Sequence, residues 1–295
     1  MSEAAKVVIV VLDGLRPDMV TPELMPHLDR FRARGAWFRE SRSVFPSVTR
    51  VCTTSLATGS PPGVHGVVSN NFFDPRVFPA EVLDTGRRDH LEAAVAAYGG
   101  RFVTAPSLGE RVAAAGRRMV AVHSGSPGSA FLLNHRVAAN GGHATFSVHG
   151  AAASTPPALF EEVVARFGPV PPAAVPNSPR VRYAARVFAE RVLGEERPDV
   201  AALWFSDPDT SYHYARIGSA ETRGALRVVD EAFGRILDWW DHAPGASAYR
   251  LFAVSDHAQI TAHTQIDLLG ALRAAGFAAD LRLAGDGALG LTLGY

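Results

Sequence analysis

Lys6-Val7-Val8-Ile9-Val10-Val11-Leu12-Asp13-Gly14 is the stretch that decides the fold class. Its apolar residues run without alternation and are mostly β-branched, the pattern of a strand buried on both faces inside a parallel sheet. The run stops at Asp13-Gly14, a turn pair. Two later runs repeat this form: residues 200–205 lead into Ser206-Asp207-Pro208-Asp209, and residues 249–255 lead into Asp256-His257. The carboxyl ends of parallel strands share one edge, and ligands bind in the crevice there. Residues far apart in sequence are therefore expected to converge.

Working outward, helical spacing at Leu24, Leu28 and Phe31 predicts a helix over residues 23–34, stopped by Gly35. A strand is expected at 36–39, and a helix from Thr49 to Thr58 with Gly59 as its stop. Helices follow at 107–115, 159–167, 181–193, 222–240 and 266–275. Strands are expected at 118–123, 200–205 and 249–255, with short candidates at 281–283 and 289–293. Strands alternating with helices imply an α/β fold with a mostly parallel central sheet covered on both faces. Residues 71–101 and 136–179 carry much Pro and Gly without clear periodicity and read as excursions around a substrate mouth. Residues 1–295 are then one catalytic domain. No internal repeat or low-complexity tract is present.

Composition excludes several classes. The 29 basic and 29 acidic residues balance, which argues against an obligate nucleic-acid polymer or anionic membrane partner. Lys6 is the only lysine, a bias of composition rather than of function. Cys52 stands alone, so no intrachain disulfide forms. The N-terminus lacks a basic segment and a small-residue cleavage site, and no apolar stretch approaches the roughly 18 residues of a membrane span. The reading is a soluble, cytoplasmic protein whose oligomeric state is open.

Chemistry concentrates at the strand ends. Asp13 alone reads equally well as a turn or cap residue. Asp256-His257 places two adjacent metal-type ligands after one strand. Asp209 and His213 are four residues apart, one helical turn, so both can face one ion; Asp207 is expected to support a ligand instead. Such a set suits two divalent ions about 3.5–4 Å apart, an arrangement that serves in-line phosphoryl transfer. Thr49, at an expected helix N-terminus, is a candidate nucleophile where backbone N–H groups favour a phosphoryl anion, and otherwise a helix cap.

These motifs, together with Phe45-Pro46-Ser47-Val48-Thr49-Arg50, Ala57-Thr58-Gly59 and His65-Gly66-Val67-Val68-Ser69-Asn70, resemble the alkaline phosphatase superfamily. The pattern is that of its nucleotide pyrophosphatase/phosphodiesterase branch, the type I phosphodiesterases. The motifs keep the family's order from Val7 to about Ala275. The resemblance implies a three-layer alkaline phosphatase-like sandwich, two zinc-type ions (manganese being an alternative) and a covalent phosphothreonine. By that resemblance Thr49 matches the nucleophile, and Asp13, Asp256 and His257 match the ligands of the ion that activates it. Asp209 and His213 match ligands of the second ion, and Asn70 matches the amide that holds a phosphoryl oxygen. The implied substrate is a small phosphoester and the implied activity that of a phosphodiesterase or nucleotide pyrophosphatase.

Two positions depart from the family. Nucleotide-acting members place an aromatic residue after the nucleophile; here it is Arg50, which points to an anionic group on the substrate or to a surface arginine. Phe72 and Phe73 are candidates for an apolar wall, or for core packing. The family also completes its second metal site with a histidine well downstream of the Asp-His pair, whereas His263 lies too near Asp256. The second site is therefore expected to be weak and the sheet to lack a closing C-terminal element. A fragment, a truncated paralogue and a variant with another ligand all remain open. The alternatives are a phosphomonoesterase, a phosphonate hydrolase, or a binding protein with a degenerate second site. A sulfatase is not expected, because neither Cys52 nor Ser47 lies in the Cys/Ser-x-Pro/Ala-x-Arg frame that formylglycine formation requires. Of the other histidines, His65 is expected to stabilise its His-Gly turn. His123, His135, His143 and His149 flank the excursions and read as surface or satisfied core residues, with substrate contact as the alternative.

Overall fold

The computed structural model describes residues 5–264, 266–280 and 289–290. Five strands build the main sheet: β1 (Lys6–Leu12), β2 (Met119–His123), β3 (Ala144–Ser147), β4 (Val200–Phe205) and β5 (Tyr249–Val254). Their order is β3-β2-β4-β1-β5, and every pairing is parallel. The uninterrupted apolar runs of β1 and β4 sit at the centre, where both faces need cover. Leu12 lies opposite Phe205 and Val11 opposite Val254, so Asp13, Ser206 and Ser255 emerge at one edge.

Alternate residues feed two cores, giving an α/β sandwich of three layers. Val8, Val10 and Leu12 join Leu203 and Phe205 under α1 (Pro26–Arg34) and α6 (Ala220–His242). Leu226, Val229, Phe233, Ile236 and Leu237 line one stripe of α6, the i, i+3, i+4, i+7 spacing of an amphipathic helix. Helices α3 (Ala158–Phe167) and α4 (Ser178–Val187) cover the same face. Val11, Ala121, Ala202 and Trp204 fill the opposite face. A third cluster, with Val51, Leu83, Leu91 and Leu132, packs beneath α2 (Thr49–Thr58). No described helix is long and apolar enough to cross a membrane.

Several expectations need correction. Residues 36–39 form no strand: they are exposed and irregular, because the places on either side of β1 are taken by β4 and β5. The helix expected from residue 23 starts one turn later, with Pro26 in its first turn, where a missing N–H costs nothing. The helix expected at 181–193 begins at Ser178 and continues past α4 in wide π-helical turns over Phe188–Glu196, ending at Arg197 in the left-handed region. The stretch 136–179, read as an excursion, also contributes β3, the edge strand of the main sheet, alongside α3, the helix expected at 159–167. Within 71–101 lie a short hairpin, Asn71–Phe72 with Leu83–Asp84, and the helix Arg88–Ala97. The strand candidate at 281–283 falls outside the described residues. Of 289–293, Leu289–Gly290 pairs with Ala279–Asp280. Among the described residues only β1 pairs with β5, and Phe252 on that strand is 47% exposed.

Candidate functional site

The carboxyl edge of β1, β4 and β5 gathers the residues singled out above. Asp13 follows β1, and its carbonyl accepts from the Asp209 amide at 3.0 Å. This contact depends on Gly14, whose φ is +71° and where an added Cβ would lie 3.0 Å from the Asp209 Cβ. Only glycine tolerates both the left-handed backbone and that approach. Asp209 opens α5 (Asp209–Tyr214), which places His213 one turn later with its Nε2 3.4 Å from Asp209 Oδ2. Asp256 sits just past β5, and its Oδ1 accepts from the Gly14 amide at 3.1 Å. The Asp256 carbonyl accepts from Ser43 Oγ at 2.6 Å, fixing the strand end to the chain before α2.

His257 is the hub. Its Nε2 lies 3.1 Å from Thr49 Oγ1, 3.5 Å from Asp13 Oδ1, 3.4 Å from Asp256 Oδ2 and 4.0 Å from Asp209 Oδ1. Thr49 is the first residue of α2, after Val48, which provides no side-chain cap. The amide of Arg50 donates to Asn70 Oδ1 at 3.1 Å, so Asn70, which is buried, is tied to the first turn of the helix.

These donors fit a divalent cation. One atom each from Asp13, Asp209 and His257 lies within 4.8 Å of the others. Asp13 Oδ1 and Asp256 Oδ2 are buried and accept no hydrogen bond. Burial pushes the Asp13 carboxyl well above its ordinary range, and the charges of Asp256 and Asp209 push it further. Burial raises Asp256 too, against the pull of His257. Two or more carboxylates crowded with orphaned oxygens are strained by their own charge, and a cation relieves both defects. His213 is 39% exposed and is raised by its contact with Asp209, so the second group lies at the open side of the first.

A family description for type I phosphodiesterase / nucleotide pyrophosphatase matches residues 7–293. The chain belongs to this family. Among its relatives, ectonucleotide pyrophosphatase/phosphodiesterase family member 1 of Homo sapiens is 23% identical over 269 residues, 86% of this chain and 24% of that protein. Venom phosphodiesterase 2 of Crotalus adamanteus is 21% identical over 257 residues, 86% of this chain and 27% of its own length. The chain thus spans about a quarter of these curated relatives, 24% and 27% respectively. Among solved structures, phosphonoacetate hydrolase from Sinorhizobium meliloti 1021 in complex with phosphonoacetate superposes with a TM-score of 0.68 at 25% identity, over 92% of this chain and 62% of that one. Murine ectonucleotide pyrophosphatase/phosphodiesterase 5, an inactive variant in complex with AMP, gives 0.59 at 18% identity, covering 86% and 57%.

Within this type I phosphodiesterase frame the remaining residues fall as follows. The Arg50 side chain is only 17% exposed and its Nη2 is 3.8 Å from Asp84 Oδ1, an ion pair without a hydrogen bond. Asp84 Oδ1 already accepts from the Gly86 amide at 2.8 Å, and Arg50 Nε has no partner. Burial lowers the Arg50 pKa, against the opposing pull of Asp84, Asp13 and Asp209. Phe72 stacks on Phe102 with ring centroids 6.5 Å apart and packs on the cluster beneath α2, whereas Phe73 is 45% exposed. His65 bridges its turn to α2 as expected: Nδ1 accepts from the Val67 amide, and Nε2 meets Ser55 Oγ at 2.9 Å. Asp207 caps α5, its Oδ1 accepting from the Ser211 amide and hydroxyl.

Four contacts escaped the sequence. Trp204 Nε1 donates to Asp13 Oδ2 at 2.9 Å, and His123 stacks on the indole with centroids 5.2 Å apart. The available signal was parity, since Trp204 lies opposite Val11 and so shares a sheet face with Asp13. Gln259 Nε2 donates to Asp209 Oδ1, and Asp84 pairs with Arg50. Nothing local in sequence marks either.

Proposed function

We propose that this chain is a metal-dependent hydrolase of phosphoric esters, with Thr49 as the nucleophile and a small diester or nucleotide pyrophosphate as substrate. The observation that carries the reading is the 3.1 Å contact between Thr49 Oγ1 and His257 Nε2, at a helix N-terminus and beside orphaned buried carboxylates. Asp13, Asp256 and His257, with Asp209 alongside, would hold one ion, and Asp209 with His213 a second, zinc or manganese. A bound cation favours the ionised hydroxyl of Thr49 and offsets charge on the phosphoryl oxygens.

The chain's own residues supply the rest. The Thr49 oxygen forms a bond to phosphorus as the bond from phosphorus to the leaving oxygen breaks, giving a phosphothreonine. Water then attacks the same phosphorus, and Thr49 leaves with a proton restored. The first turn of α2 presents its positive end to the phosphoryl group throughout. With Asn70 Oδ1 held by the Arg50 amide, its Nδ2 is the atom that can donate to a phosphoryl oxygen.

Arg50 favours a second reading, in which the substrate carries another anion next to the scissile bond, as in a phosphomonoester or phosphonate. Its buried guanidinium has donors that Asp84 does not use. The test is turnover of aryl phosphodiesters, monoesters and phosphonates with Zn²⁺ or Mn²⁺ by wild type and Thr49→Ala. Loss of turnover on the order of 10³-fold or more is expected from removal of the nucleophile. Near wild-type turnover in Thr49→Ala would sink the phosphothreonine.

A further inference from the structure

Asp209 is approached from two sides. His213 Nε2 meets Oδ2 at 3.4 Å, and the side-chain amide of Gln259 donates to Oδ1. The Gln259 backbone is itself fixed, because its carbonyl accepts from Arg16 Nη1 at 3.2 Å and Arg16 is in turn held by Asp18 at 2.9 Å. Gln259 follows His257 by two residues, so the loop that delivers a ligand to the first group also delivers this amide to the second. A cavity of about 370 Å³ opens beside them, lined in part by Tyr212, His213, Gln259 and Thr261.

We propose that Gln259 is a protein ligand of the second cation, bound through its amide oxygen beside Asp209 and His213. This rests on the metal-dependent reading above. A primary amide exchanges its nitrogen and oxygen by turning about its last torsion, with no movement of the carbon frame. The atom that donates to Asp209 without a cation is then replaced by an acceptor when a cation shares the carboxylate. The resulting set of carboxylate, imidazole and amide oxygen is harder than one with a further nitrogen, and so favours Mn²⁺ relative to Zn²⁺ more than a histidine in that position would.

Calorimetric titration of the metal-free protein with Zn²⁺ and with Mn²⁺ tests this, using wild type, Gln259→Leu and Gln259→His, with circular dichroism to establish folding. The expected result is two equivalents in wild type. Gln259→Leu weakens only the second, about 10-fold or more by the scale of a lost metal-site contact. Gln259→His restores that equivalent and raises its preference for Zn²⁺ over Mn²⁺. Equal weakening in Leu and His variants would make Gln259 a donor that orients Asp209, and would overturn the assignment. So would a second equivalent unmoved by either change. A single equivalent in wild type also overturns it, while leaving the role of Thr49 to be judged by its own turnover measurement.

Discussion

The indole of Trp204 on β4 donates to Asp13 Oδ2 at the end of β1, 2.9 Å away and fully buried, which leaves Oδ1 turned toward His257. One oxygen of this carboxylate is thereby committed to the protein and the other reserved for the site. A donor of this kind fixes the orientation of a metal-binding carboxylate. Trp204→Phe should lower the affinity of the tighter metal site about 10-fold, the low end of the range for such partners. The fluorescence change that accompanies the first equivalent in wild type should vanish in the variant. Retention of both the affinity and the fluorescence change would mean the hydrogen bond has no part in metal binding.

Asp13, Asp209 and Asp256 crowd together with their charges unbalanced, and Asp13 is raised mainly by burial and then by its two neighbours. Asp13→Asn should therefore stabilise the chelated protein at pH 8, on the order of 1–3 kcal/mol, because it removes a buried uncompensated charge. With saturating Zn²⁺ the order should reverse, since binding to the native state stabilises wild type in proportion to its affinity. Thermal unfolding with chelator and with Zn²⁺ measures both. The same order in the two conditions would argue against a cation at Asp13.

Arg50 lies behind the nucleophile with one long ion pair to Asp84. Arg50→Ala should lower kcat/KM for substrates with a second anionic group about 10–100-fold, the size of a charge-assisted hydrogen bond. A diester with uncharged substituents should change only a few-fold. A uniform loss across both classes would assign Arg50 to the packing of α2 instead.

His135 is buried beside Glu110 and its pKa is lowered to about 4, chiefly by burial, against the pull of that carboxylate. An unfolded histidine titrates at about 6.5, so the unfolded chain takes up the proton first. The neutral ring's contribution is therefore complete above pH 6.5 and is lost as pH falls toward 4. In His135→Gln the fall of stability with decreasing pH across that window should be shallower by up to about 1.4 kcal/mol per pH unit. Urea unfolding at several pH values checks this. Identical slopes would show that the ring protonates without cost in the fold.

Local pattern was enough for much of this architecture. β1 and β4 are read from their unbroken apolar runs, and the bounds of both match. Thr49–Thr58 is read from its flanks, with Gly59 at φ +64° closing the helix in the left-handed region. The alternation of strands and helices then implied which ends would share an edge, and Asp13, Asp209, His213, Asp256, His257 and Thr49 do lie there. What failed was what local pattern cannot hold. Residues 36–39 look like a strand yet pair with no described strand, whereas the short Ala144–Ser147 becomes one because β2 offers it an edge.

The sequence by itself determined the periodicities, the punctuation by glycine and proline, and the chemical inventory at each strand end, because those are properties of neighbours along the chain. Tertiary structure alone decided which carboxylate oxygen is held by Trp204 and which is left to the site, that Gly14 lets Asp209 close on Asp13, and that Gln259 reaches Asp209 from the far side. Each of these joins groups from separate strands and loops. Their distances follow from the register and packing of the whole sheet, which no stretch of sequence contains.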